Sequence, residues 1–302
     1  ENPYEVPRAD RSAPVQSGVV AYMAGRIWVG SVDGLWQLDP LQARPVLTRV
    51  PGSEALHGAS IRSLAWDGKE ALWIGSNSIG LYHYDMNLQR LSKVNLQRQA
   101  GANQFTFIAT LHIDARGRLW VGSQGDGIAV LPDARRPAAD AIELIGNAQG
   151  LPNLMVNRFV PDDLGRIWAS TDGGLARIDP QTLRAEAVQR ADGVQIEVFW
   201  AGSGSKTAAG DIIFGGSGGI TVVRPQHLKP PPGPPPLVLT DIRQGGRELR
   251  HAPPDGTLEI RANANSLAVE FAALDFAAPE RVRYAYRLEG YDEDWINTPA
   301  TR

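Results

Sequence analysis

Cysteine is absent from this chain, which removes disulfides, thiol catalysis and zinc ribbons together. The absence suits the cytosol and an oxidising compartment equally, so it places the protein in neither. Histidine is scarce: His57, His83, His112, His227 and His251 fall at no metal-ligand spacing, and no metal or other cofactor is expected. His83 and His112 sit inside strand-like runs, where structural roles are the natural reading. Neither sign of charge dominates. Thirty Lys and Arg against 33 Asp and Glu leave a net charge of −3, with no basic surplus for nucleic acid or an anionic membrane face. No apolar run reaches the ~18 residues that span a bilayer. The chain starts at Glu1 without Met, and residues 1–16 are polar and unlike a signal peptide. It therefore reads as a processed or excised piece, with any membrane contact made only through segments outside it.

Nucleophile and phosphate motifs are also missing. There is no Gly-x-Ser-x-Gly elbow. Residues 202–207 superficially resemble a phosphate loop, but Ser205 stands where Gly is required before Lys206. The acidic run Asp292–Asp294 lacks EF-hand spacing and reads as a solvated turn.

What the chain does have is glycine and proline, 32 and 22 of them, and a repeat. Gly25-Arg26-Ile27-Trp28-Val29-Gly30 returns as Ala71-Leu72-Trp73-Ile74-Gly75 and as Gly117-Arg118-Leu119-Trp120-Val121-Gly122. It returns again as Gly165-Arg166-Ile167-Trp168-Ala169-Ser170, and more weakly as Gly210-Asp211-Ile212-Ile213-Phe214-Gly215. Taking the Trp position as reference, the steps are 45, 47, 48 and 45 residues. Four of the eight tryptophans share this one register.

Each unit has the same grammar. An alternating apolar run ends in an acidic turn, as in Ile61 to Gly68; the Trp-bearing strand and a small polar turn such as Ser31–Gly34 follow. A Gly-Leu run ending in Asp comes next (Gly34–Asp39, Gly80–Asp85, Gly174–Asp179), and a fourth short run closes the unit. These recurring aspartates read as turn formers. Four short strands per unit predict a four-stranded antiparallel sheet, and their radial repetition predicts a β-propeller blade. Five blades are expected at roughly 18–54, 55–100, 101–148, 149–190 and 191–229, as part of a seven-bladed ring. Residues 1–16 are a candidate strand for another blade. The recurring Trp is expected between neighbouring sheets, where a large flat ring fills the gap. The glycines after it are expected to serve positive-φ turns.

The repeat ends at a proline-rich linker, residues 230–236, with six prolines in seven positions. The expected division is thus a propeller over 1–229, this linker, and a β domain over 237–302. Leu237–Ile242, Leu267–Phe271 and Tyr284–Leu288 read as strands of an incomplete Ig-like sandwich.

Together these residues resemble a known arrangement. Gly150–Asn157, Asp163–Trp168 and Gly174–Asp179 look like the two-component-regulator propeller repeat. Phe271–Phe276 with Tyr284–Trp295 resembles the opening of a three-tyrosine (Y_Y_Y) domain, and 215–225 resembles the last blade before one. The resemblance implies the periplasmic sensor region of a bacterial membrane protein with a histidine kinase or diguanylate cyclase output. It implies a non-catalytic region signalling as a homodimer through its C-terminal domain. A propeller lyase similar to virginiamycin B lyase is the alternative, disfavoured by the lack of a His-rich set in the loops. A purely structural docking platform is a third reading.

Ligands of propellers gather where loops converge at one end. Loops joining strand four to the next strand one, and strand two to strand three, give Arg62, Asn77, Phe105, Gln124, Asn157, Asp172 and Trp200 as candidate ligand-binding residues. Their amides, charges and aromatic rings would suit a saccharide or another small polar molecule.

Overall fold

The computed structural model describes residues 6–9, 17–96, 105–136, 142–228, 236–248, 266–274, 282 and 284–298. The chain divides into two compact units, Glu1–Leu228 and Lys229–Arg302.

The first unit is a succession of small antiparallel sheets, each wound in simple up-and-down order. The first holds β1 (Ser17–Met23), β2 (Arg26–Ser31), β3 (Gly34–Leu38) and β4 (Thr48–Arg49). The second holds β5 (Ile61–Trp66), β6 (Ala71–Ser76), β7 (Gly80–Asp85) and β8 (Arg90–Val94). The third is β9 (Ile108–Ile113), β10 (Leu119–Ser123), β11 (Ile128–Leu131) and β12 (Glu143–Ile145). The fourth is β13 (Val156–Pro161), β14 (Ile167–Thr171), β15 (Gly174–Ile178) and β16 (Ala185–Val188). A three-stranded fifth contains β17 (Phe199–Lys206), β18 (Ile212–Gly216) and β19 (Gly219–Val223).

Consecutive sheets pack through their leading strands: β1 on β5, β5 on β9, β9 on β13 and β13 on β17. The recurring Trp supplies the filling. Trp28 packs with Ile61, Leu72 and Ile74 of the second sheet, and Trp73 with Leu111, Leu119 and Val121 of the third. Trp120 lies among Val156, Phe159 and Ile167 of the fourth sheet, and Trp168 among Phe199, Ile212 and Phe214 of the fifth. A strand's side chains alternate between faces. One Trp per second strand, at one level, therefore always points at the following sheet.

The expected closed propeller is not what forms. The sheets remain separate antiparallel units and do not join into a ring or barrel. Ring closure would cover the outer face of the first sheet with the last one. That face instead leaves Val20 and Tyr22 60% and 68% exposed, while Ile220 on the fifth sheet is 69% exposed. Burial of such side chains would have driven closure, and it is absent. The seven-bladed reading, and with it the resemblance to propeller repeats, is corrected to an open succession of sheets. The N-terminal segment does not begin another sheet among the described residues. Arg8 bridges in parallel to Leu47 beside β4. Its guanidinium stacks 3.9 Å from the Trp36 ring centroid and pairs with Asp33 at 3.1 Å.

The glycines divide into two kinds, of which the sequence reading anticipated one. Gly34, Gly80 and Gly174 open the third strands at φ of 108°, 89° and 104°, where an L side chain is strained. Gly30, Gly75 and Gly122 answer to a different demand: the next sheet's leading strand comes too close. A Cβ on Gly75 would stand 2.6 Å from Ile108 Cγ2, one on Gly30 2.4 Å from Ile61 Cγ2, and one on Gly122 2.8 Å from Val156 Cγ1. Substituting Gly75→Ala should overpack this joint and cost about 1–3 kcal/mol in chemical denaturation.

The second unit contains a three-stranded sheet, β20 (Leu237–Gln244), β21 (Arg247–Glu248) and β22 (Leu267–Ala273), ordered β21-β20-β22. A separate pair joins β23 (Tyr284–Tyr286) to β24 (Ile296–Thr298). Tyr284 links the two: its ring meets Phe271 edge-on at 5.6 Å, and its hydroxyl accepts the Ala273 N–H at 3.1 Å. Leu237, Leu239, Leu267 and Val269 are exposed, so in place of the expected incomplete Ig-like sandwich the described residues form separate small antiparallel sheets. Asp275 and Phe276 of the Y_Y_Y-like motif, His251, and linker positions 230–235 lie outside the described residues.

Candidate functional site

The leading strands share an irregularity that simple alternation hides. Pairing with the second strand slips by one residue at Gly18, Arg62, Ala109 and Asn157. In the fifth sheet the slip widens to Trp200–Ser203, between Phe199 and Gly204. A bulge releases a residue from the ladder and re-aims it. Arg62, Asn157 and Trp200 thus occupy equivalent positions, although nothing in their chemistry shows it.

The partner element at this end is the turn after the second strand. Ser31, Ser76, Ser123 and Thr171 are buried there, and their hydroxyl groups bind turn N–H or C=O groups. The following residue closes the rim through its backbone. Asn77 N–H donates to Ser60 O at 3.0 Å, Gln124 N–H to Phe107 O at 2.9 Å, and Asp172 N–H to Met155 O at 3.2 Å.

Three of the seven candidate residues form one network. Gln124 Nε2 donates to Asn157 Oδ1 at 3.3 Å, and Asn157 Nδ2 donates to Asp172 Oδ1 at 2.7 Å and to Phe199 O at 2.8 Å. Asn157 is buried and its amide is fully engaged, so it ties the third, fourth and fifth sheets together. Gln124 and Asp172 remain half-buried at the rim. Trp200, next to the tethered Phe199, is 62% exposed and free to stack on a ligand. Asn157→Ala should strand the Gln124 and Asp172 partners and cost about 1–3 kcal/mol, read by thermal unfolding.

Of the other four, Trp200 adjoins this network and Phe105, Arg62 and Asn77 stand apart from it. Phe105 is buried in the core between the second and third sheets, with φ of 43° and its N–H on Asp126 Oδ2 at 3.0 Å. Arg62 is exposed at its own bulge, and Asn77 is half-buried on the second sheet. Arg158, not among the seven candidates, lies beside Asn157 and donates from Nε to Gly204 O at 3.2 Å. Asn157 and Arg158 therefore grip the two ends of the bulge that carries Trp200. Only the bulge makes these consecutive residues work together, and period-two alternation gives no sign of it.

The histidines and the weak motifs have structural places. His83 meets the Trp73 ring edge-on at 4.9 Å. Burial holds the His83 and His112 imidazoles below their ordinary pKa, against the pull of nearby carboxylates, Asp85 and Asp67 for His83 and Asp114 for His112. Residues 202–206 run within β17, and Lys206 pairs with Asp163 at 2.6 Å. Asp292 accepts the Leu288 N–H at 2.7 Å, as a turn-forming carboxylate does. Among the described residues no three His, Asp or Glu side chains gather as a metal site, and no catalytic cluster is present. No helix among them is long and apolar enough to cross a membrane.

No family model matches the chain, so neither the propeller-repeat family nor the three-tyrosine family is assigned to it. Histidine kinase P4 of Formosa agariphila is 22% identical over 273 residues, covering 84% of this chain and 19% of that protein. The chain thus spans about a fifth of that relative's length. Among solved structures, the extracellular domain described as a hybrid two-component system of B. thetaiotaomicron superposes with a TM-score of 0.72. That match has 22% identity and covers 99% of this chain and 41% of the other. A second such extracellular domain from the same organism gives 0.57 at 16% identity, covering 94% and 51%. In fold, the chain resembles these extracellular domains of two-component systems.

Proposed function

We propose that this chain is the extracytoplasmic, ligand-sensing region of a bacterial membrane signalling protein, acting on the periplasmic side without catalysing a reaction itself. The observation that carries the reading is the Asn157 network. It joins Gln124, Asp172 and the Trp200 bulge across three sheets, so a ligand touching one of them is felt by all. A small polar molecule or saccharide fits this mix, with a ring stacked on Trp200 and hydroxyl groups on Gln124 and Asp172. The output module is a histidine kinase or a diguanylate cyclase in a longer protein, and the signal passes through a homodimer formed by the second unit. The resemblance to extracellular domains of two-component systems supports this direction.

Calorimetric titration against a panel of oligosaccharides and envelope components tests it. Saturable binding to one class, lost in Trp200→Ala with the fold intact by circular dichroism, is the expected result. A folded protein that binds nothing in the panel overturns the reading.

A further inference from the structure

We propose that the ligand of this rim carries an anionic group, a carboxylate on a sugar or similar polar ring, and that Arg158 is the residue that recognises it. The inference rests on the rim being the ligand site. It goes further by naming the charge of the ligand and the residue that reads it.

Arg158 is half-buried on β13, and its side chain's one hydrogen bond among the described residues runs from Nε to the Gly204 carbonyl. No carboxylate among them forms an ion pair with it. Asp172, Asp163 and Asp114 have partners of their own: Asp172 accepts from Asn157, Asp163 pairs with Lys206, and Asp114 holds Arg118 and Trp120. Burial drives its pKa below the ordinary guanidinium value, with no opposing charge to restore it. A guanidinium stays protonated regardless, so the desolvation is borne as a charge. Neighbouring His112, held neutral by burial, feels Arg158 as a further push in the same direction. Charges withdrawn from water are ordinarily paired, and among the described residues this half-buried one has no ionic partner.

The geometry leaves room for a partner to come from outside. Nη1 and Nη2 make no hydrogen bond among the described residues, yet neither is sealed from solvent. Nε is already fixed on Gly204, so the planar fork is held in one orientation. Two parallel N–H groups of such a fork match the two oxygens of a carboxylate. The Gly204 contact also lies at one end of the bulge that presents Trp200. A ring stacked on the indole would set its acid group on the guanidinium and its hydroxyl groups on the remaining hydrogen-bonding capacity of Gln124 or Asp172.

The test compares acidic and neutral probes on the whole chain by calorimetry and by tryptophan fluorescence. The probes are short oligogalacturonides, the corresponding neutral galactose oligosaccharides, and a sulfated galactose oligosaccharide. The oligogalacturonide is expected to bind in preference to the neutral series, with an affinity that falls as salt rises. Arg158→Gln should weaken it about ten- to hundredfold. Arg158→Lys keeps the charge and most of the packing, and should recover part of the loss. This variant keeps the test decisive if Arg158→Gln fails to fold. Preference for the sulfated probe would overturn the carboxylate assignment. Neutral binding that depends on Trp200 but not on Arg158 would overturn the charge proposal and leave the site standing. No binding by any probe would remove both.

Discussion

Trp168→Ala is expected to cost about 3–5 kcal/mol, the loss typical of a fully buried large aromatic side chain. The ring is completely enclosed between the fourth and fifth sheets, among Leu175, Val194, Phe199, Ile212 and Phe214. Deleting it leaves a cavity that strands on both sides cannot collapse into, because β13 and β17 are held by the Asn157 and Arg158 contacts. Trp168→Phe separates two contributions. It keeps most of the volume but loses the indole N–H, and should cost less than the alanine variant. Urea denaturation followed by circular dichroism reads both. Equal stability of Trp168→Ala and the parent would mean that the rings do not form the joints between sheets.

The second large effect comes from the carboxylate beneath that ring. Asp162 Oδ2 accepts from Trp168 Nε1 at 2.9 Å and from Arg166 Nε at 2.7 Å. Its Oδ1 accepts the backbone N–H groups of Leu164 at 3.0 Å and Arg166 at 2.9 Å. Asp114 repeats the arrangement with Arg118 and Trp120. Asp162→Ala should cost about 3–5 kcal/mol, since it leaves an indole, a guanidinium and two turn amides without their acceptor. Asp162→Asn should cost less, because one oxygen survives.

The same pair of aspartates sets an acid limit. Burial raises the pKa of each carboxyl. Hydrogen bonds from the indole and from the arginine backbone and side chain, with the arginine charge, outweigh it and hold both below the ordinary value. A folded-state pKa lower than the unfolded one means that the unfolded chain binds more protons in between. Their stabilisation is therefore fully present above the ordinary carboxylate value near pH 4 and drains as pH falls through the lower folded value. An acid titration of stability should show this slope in the parent. Asp114→Asn with Asp162→Asn should flatten it while lowering the plateau.

Much of this architecture is legible before any coordinates. Trp28, Trp73, Trp120 and Trp168 announce a repeat because burial between sheets demands one large ring per unit, and spacing records that demand. The double duty of Asp114 and Asp162 is harder to read, since Asp67 occupies the same place in its unit. Asp67 only caps a turn, accepting from Lys69, Glu70 and Ala71, while Trp73 donates instead to Ala134 O at 2.8 Å. The distinguishing letter is the Arg two residues before Trp, and it acts only when an Asp stands four residues before it. Gly25-Arg26-Ile27-Trp28 has the Arg but Tyr22 in the acid's place, and Trp28 donates to Met23 O. The bulges at Arg62, Asn157 and Trp200 escaped because they break the alternation from which strands are recognised. Closure escaped for a different reason. A repeat specifies how each sheet folds and meets its neighbour, but whether the two ends meet depends on faces such as Val20 and Tyr22, far from Ile220 in sequence.

Because each sheet lends its ring only to the next, the first unit holds together like courses of masonry laid in one direction. Losses at either end should fray inward one step at a time, as expected of quasi-linear arrays. Amide exchange should therefore be slowest along β10 and β14, which have neighbouring sheets on both sides, and fastest along β19, where Ile220 and Val222 are exposed.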